Sequence, residues 1–82
     1  MEERRTDSRQ RVLRGAKIVF NDKRSVINCT IRNLSETGAR VQVESQSGIP
    51  TYFDLLIEGE ERYRHCRLMW RMDHSLGISF RR

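Results

Sequence analysis

Arg4, Arg5 and Arg9 open the chain in the pattern RRxxxR. A guanidinium is planar, always charged, and carries its N–H donors in a fork. Three of them on one short segment can wrap an anion and make paired hydrogen bonds to phosphate oxygens. The same fork matches the O6/N7 edge of guanine. A solvated basic tail is the plainer reading of such a segment taken alone. Further along, Asn33, Ser35 and Gly38 form a second polar group, NxSxxG. Asn33 supplies an amide oxygen and an amide nitrogen, and Ser35 a hydroxyl that donates or accepts. Gly38 is a backbone position free to take a positive φ or to let a ligand come close. By themselves these three are also what an ordinary turn between strands uses.

Other residues have the types needed for chemistry but not the spacing. His65 and Cys66 are adjacent, so on a strand they point to opposite faces. The chain has no CxxC or HxxxH pair, and no metal site is expected. Asp73, His74 and Ser75 are the residue types of a catalytic triad, but consecutive residues in a turn cannot adopt its geometry. No spaced acid–base or nucleophile–base pair stands out, so neither catalytic residues nor a cofactor are expected. Cys29 and Cys66 are too few for a disulfide framework and read as buried free thiols. Trp70 reads as core or barrel mouth and Arg40 as a solvated strand residue, with ligand contact the minority reading for each.

The 82 residues carry sixteen Lys and Arg against eleven Asp and Glu, a formal charge of +5. Fourteen of those bases are Arg, the exceptions being Lys17 and Lys23. The positive charge sits at the two ends. Residues 1–17 hold six bases and three acids, residues 62–82 six and one, and residues 25–61 two and six. Such a balance points to an anionic partner without naming it. No apolar run approaches the roughly 18 residues of a membrane span. The opening MEERRTDSRQR lacks the apolar h-region of a secretory signal. A cytoplasmic protein without membrane insertion is therefore expected.

The elements that must position these residues are short strands. AKIVF places Ala16, Ile18 and Phe20 on one face, and VINCTIRNL does the same with Ile27, Cys29 and Ile31. Asn33 to Gly38 interrupts with turn chemistry. ARVQVE then resumes, with Ala39, Val41 and Val43 inward. YFDLLIE supplies a fourth strand, and RYRHCRLMWRM a fifth with Cys66, Leu68, Trp70 and Met72 on one face. LGISF closes the series with Leu76, Ile78 and Phe80. Period-two alternation with short connections predicts an all-β fold, a small six-stranded antiparallel β-barrel over residues 16–82. Residues 1–15, polar and without periodicity, are expected to form a flexible Arg-rich N-terminal arm.

Together the two motifs are far more specific than either alone, and here the chain resembles the PilZ domain family, receptors for the bacterial second messenger cyclic di-GMP. The family pattern is RxxxR near the N-terminus followed, after one or two strands, by [D/N]xSxxG. RRTDSR at 4–9 and NLSETG at 33–38 match it in order and spacing. GARVQV resembles the family's next strand and LMWRMDHSLGISF its closing hairpin. The resemblance implies that Arg5 and Arg9 hold the ligand's phosphates and guanine edges. It implies that Asn33, Ser35 and Gly38 bind a guanine from the barrel surface. Arg4 matches an extra arginine whose implied role is a clamp on a second ligand copy. Asn33 stands where many members have Asp.

The expected function is thus a receptor that clamps cyclic di-GMP between arm and barrel, ordering of the arm being the switch that a downstream protein partner reads. Two alternatives remain at this point. One is a barrel binding single-stranded nucleic acid, disfavoured because Phe20, Phe53 and Phe80 fall on inward sets. The other is a PilZ-like structural adaptor that binds no nucleotide, which usually lacks the motif residues present here.

Overall fold

A computed structural model describes residues 10–45 and 48–81, with the backbone alone at Gln10 and Arg11. Alternating apolar residues build six strands: β1 (Gln10–Phe20), β2 (Ser25–Leu34), β3 (Gly38–Gln42), β4 (Tyr52–Ile57), β5 (Arg64–Met72) and β6 (Ser75–Phe80). Every neighbouring pair is antiparallel, and the sheet closes on itself in the order β1-β2-β3-β6-β5-β4. This is the barrel that the alternation predicts. Closure pairs every strand on both sides over at least part of its length, which suits a chain with a thin core.

That core is the inward half of each strand. Ile18, Ile31, Val41, Leu55, Ile57, Cys66 and Leu76 are fully buried. Burying one such aliphatic side chain contributes about 1.5–3 kcal/mol relative to leaving it in water. Cys29 and Cys66 are free and buried, as expected. Burial pushes both thiols up from 9.0 to about 12; at Cys66 the Asp54 carboxylate adds to this and Arg64 opposes it. In the unfolded chain the thiols ionise above pH 9, whereas in the folded chain they stay protonated until about 12. Their contribution to stability is therefore intact below pH 9 and is lost as pH climbs toward 12. At pH 8 iodoacetamide should label the native protein only as fast as it opens, and label both thiols at once in urea, with mass spectrometry reading the difference. Immediate double labelling of the native chain would contradict the burial.

Three one-residue bulges depart from simple alternation. β1 starts at Gln10, so the boundary expected at residue 15 falls inside a strand. Gln10 pairs with Leu34 and Arg11 with Asn33, then the register shifts before Arg14 meets Ile31. The extra residue breaks the period by which a strand is recognised: Val12 packs toward the core while Leu13 is 76% exposed. In β2 the shift lies between Ile31 and Asn33, so that Ile31 and Leu34, three apart, both pack with the core. In β5 it lies between Leu68 and Trp70. That shift corrects the expectation that Cys66, Leu68, Trp70 and Met72 share an inward face: Trp70 is 46% and Met72 67% exposed.

Candidate functional site

The β2 bulge turns Arg32 and Asn33 toward the outer surface of the barrel. Asn33 is therefore not a turn residue but the penultimate residue of β2, paired with Arg40 on β3. Arg40 Nε donates to Asn33 Oδ1 at 2.9 Å. This bond engages the Asn33 oxygen and the Arg40 Nε, and the further donors of the two side chains are the Asn33 amide N–H groups and the Arg40 Nη groups. Arg32 Nη1 in turn donates to Gln42 Oε1 at 3.0 Å. Val12, Leu13, Arg32, Asn33 and Arg40 line an open hollow of about 500 Å³ on this face. Two donor groups side by side suit a pair of acceptors such as O6 and N7 of guanine, or two phosphate oxygens.

Ser35 lies at the head of the connection between β2 and β3 and is buried. Its Oγ accepts from the N–H groups of Thr37 at 3.3 Å and Gly38 at 3.2 Å, and is within 3.3 Å of both the Gly38 carbonyl and Thr37 Oγ1. One donated and two accepted bonds exhaust a hydroxyl, so Ser35 holds the turn in shape. The Ser35 N–H closes the same turn onto the Gly38 carbonyl at 2.9 Å. Gly38 does not have a positive φ; the glycines that do are Gly48 and Gly59. What comes close to Gly38 is β6: a Cβ there would meet the Ile78 carbonyl oxygen, with Ser79 Cα at 3.2 Å.

The structure thus brings Asn33, Ser35 and Gly38 together at one corner of the barrel and adds Arg40 to them. Arg4, Arg5 and Arg9 lie outside the described residues. Arg9 immediately precedes Gln10, whose partner Leu34 is the residue after Asn33. Arg40 is outward, as its parity two residues after Gly38 predicts, and the structure places it against Asn33 rather than leaving it only a solvated strand residue.

A larger hollow of about 790 Å³ lies elsewhere, between residues 26–30 and residues 42–45 with His74. Its lining includes Glu44 and neither lysine nor arginine, so it is unsuited to an anion. The fold also accounts for several arginines that the motifs leave over. Arg64 makes two bonds to Glu60, at 3.0 and 2.7 Å, and lies over the Phe80 ring. Arg71 caps the Ile49 carbonyl, and Arg81 stacks on Tyr52. The paired Arg64–Glu60 bonds are a forked contact that ammonium makes poorly.

The closed antiparallel barrel thus carries a donor-rich outer corner. The PilZ domain family model matches residues 3–82, so the chain belongs to the PilZ domain family, in general a family of cyclic di-GMP receptors. Among solved structures it is similar to the PilZ domain of CeSA from a cellulose synthesizing bacterium. That likeness has a TM-score of 0.68 at 16% identity and covers 89% of this chain and 79% of that one. It bears on the fold alone. No curated protein matches.

Proposed function

We propose that this chain is a cyclic di-GMP receptor, a binding rather than a catalytic domain, with its site on the outer corner formed by Asn33, Arg40 and the residue 35–38 turn. The observation that carries this is the Arg40–Asn33 hydrogen bond, which joins two donor-bearing side chains at the wall of one hollow. The RRxxxR motif is tethered beside it. Arg9 is one residue and Arg5 five residues from Gln10, so Arg5 can reach at most about 18 Å from that strand end. Asn33 and Arg40 take a guanine edge, Ser35 and Gly38 keep the turn in shape, and Arg5 and Arg9 close over the phosphates. Arg4 serves a second ligand copy. Ordering of residues 1–9 on binding then changes the surface that a downstream protein reads, in the cytoplasm.

Calorimetry with cyclic di-GMP tests this. Wild type should bind, with affinity falling as salt rises, because the contacts are charge-assisted and partly exposed. Arg5→Ala, Arg9→Ala and Asn33→Ala should each weaken binding about tenfold or more. No heat in the wild type would refute the proposal. Unchanged binding in all three variants would keep the ligand and move the site. Oligonucleotides that bind as tightly would favour the nucleic-acid reading instead.

A further inference from the structure

β2 is paired with β1 along its whole length, but with β3 only at residues 30–34. An antiparallel strand turns its backbone N–H and C=O groups to its two neighbours at alternate residues. Residues 25–29 make about 17 Å of strand. Among the described residues, the backbone groups that this stretch turns away from β1 meet no second strand. Native proteins blunt such edges with charge, proline or a cover, because a bare one templates the addition of another strand. Two other stretches extend beyond their ladders to β4, and each carries an arginine. Residues 10–14 of β1 end in the exposed Arg14, and residues 69–72 of β5 hold Arg71, which reaches the Ile49 carbonyl. Residues 25–29, SVINC, have neither charge nor proline, and Val26 on their outer side is 53% exposed.

This bare edge borders the hollow of about 790 Å³, whose opposite wall is residues 42–45. The inward side of the hollow is apolar, with buried Cys29 and Val43 and half-buried Ile27. Its outer side holds the exposed Glu44, and the lining has neither lysine nor arginine. A strand laid against β2 would turn alternate side chains inward onto Ile27 and Val43, and the others outward past Val26 and Glu44. The edge thus selects an extended backbone, the floor selects an apolar residue at every second position, and the carboxylate selects bases between them. The charge of the surrounding sequence agrees, six acids against two bases over residues 25–61.

We infer that this edge of β2 receives, by strand addition, an extended segment of a partner protein in which apolar and basic residues alternate. The site lies at the opposite end of β2 from Asn33 and stands whether or not that corner takes cyclic di-GMP. The probe is the capped heptapeptide Lys-Val-Lys-Val-Lys-Val-Lys, titrated into the full chain and followed by NMR. It should shift the resonances of residues 26–30 and 42–45 and slow amide exchange at alternate residues of 25–29, leaving the residue 35–38 turn unmoved. The same peptide with Glu for Lys should not bind there. Glu44→Lys reverses the charge and Val26→Lys guards the edge, so each should weaken binding of the Lys peptide about threefold or more. Both positions are exposed, and melting temperatures should stay near wild type. If either variant fails to fold, the two peptides on the wild type decide the matter. No shift at these residues, shifts without slowed exchange, equal binding of both peptides, or undiminished binding in both folded variants overturns the proposal. So does slowing of the same amides in the free protein as its concentration rises, with a dimer in sedimentation, which assigns the edge to a second copy. Calorimetry with cyclic di-GMP tests the receptor reading separately.

Discussion

Leu55→Ala should lower the melting temperature by roughly 15–30 °C, a loss of about 3–5 kcal/mol for a domain of this size. Leu55 is fully buried in the centre of β4, between Ile18 across the β1 ladder and Arg64 across the β5 ladder. The penalty for truncating a core leucine depends on how far the surroundings can move in to fill the space. Here the walls are strands hydrogen-bonded on both sides in a closed ring, so the cavity stays open and the effect falls in the upper part of the usual range. Thermal unfolding followed by circular dichroism checks this. A shift of less than about 5 °C would mean that the barrel collapses readily, contrary to the constraint that closure imposes.

Gly38→Ala is expected to cost about 1–3 kcal/mol, or roughly 5–20 °C, before any ligand is added. Its new methyl would meet backbone, the Ile78 carbonyl and Ser79 Cα, rather than the far end of a flexible side chain. Neither strand can step aside. Gly38 pairs with Ser79, and the Phe80 N–H is bonded to the Thr37 carbonyl at 2.9 Å. The variant therefore separates two roles for the glycine. A lowered melting temperature in the free protein places the requirement in β3–β6 packing. An unchanged melting temperature with weakened cyclic di-GMP binding would place it in ligand approach.

What could be read from the sequence follows from parity. β3 and β6 obey it throughout: Val41, Leu76 and Ile78 face inward and Arg40 and Gln42 outward, as alternation requires. Phe20, Phe53 and Phe80 likewise pack with the core. The errors all trace to bulges. One extra residue leaves no mark on composition, yet it reverses the face of everything beyond it. For that reason the strand at Gln10 looked like arm, Asn33 like turn, and Trp70 and Met72 like core. The candidate site was legible as residue types, Asn33, Ser35 and Gly38 being adjacent as expected. Their division of labour was not, because it depends on hydrogen bonds to Arg40 and within the turn. The three arginines of the first motif lie outside the described residues.

The pairing of β2 with β3 spans residues 30–34 only, although β2 begins at Ser25. Beyond Gln42 the chain leaves β2 and follows β6 instead, the Val43 N–H bonding to the His74 carbonyl. The cylinder thus has a seam that is zipped along half of its length, and a structure opens most readily where the fewest bonds must break. Cys29 lines the unzipped half, whereas Cys66 sits between β4 and β6, paired with Phe53 and Phe80. Two thiols with the same chemistry are thereby given different clocks, and Cys29 is the one that breathing of the barrel exposes first.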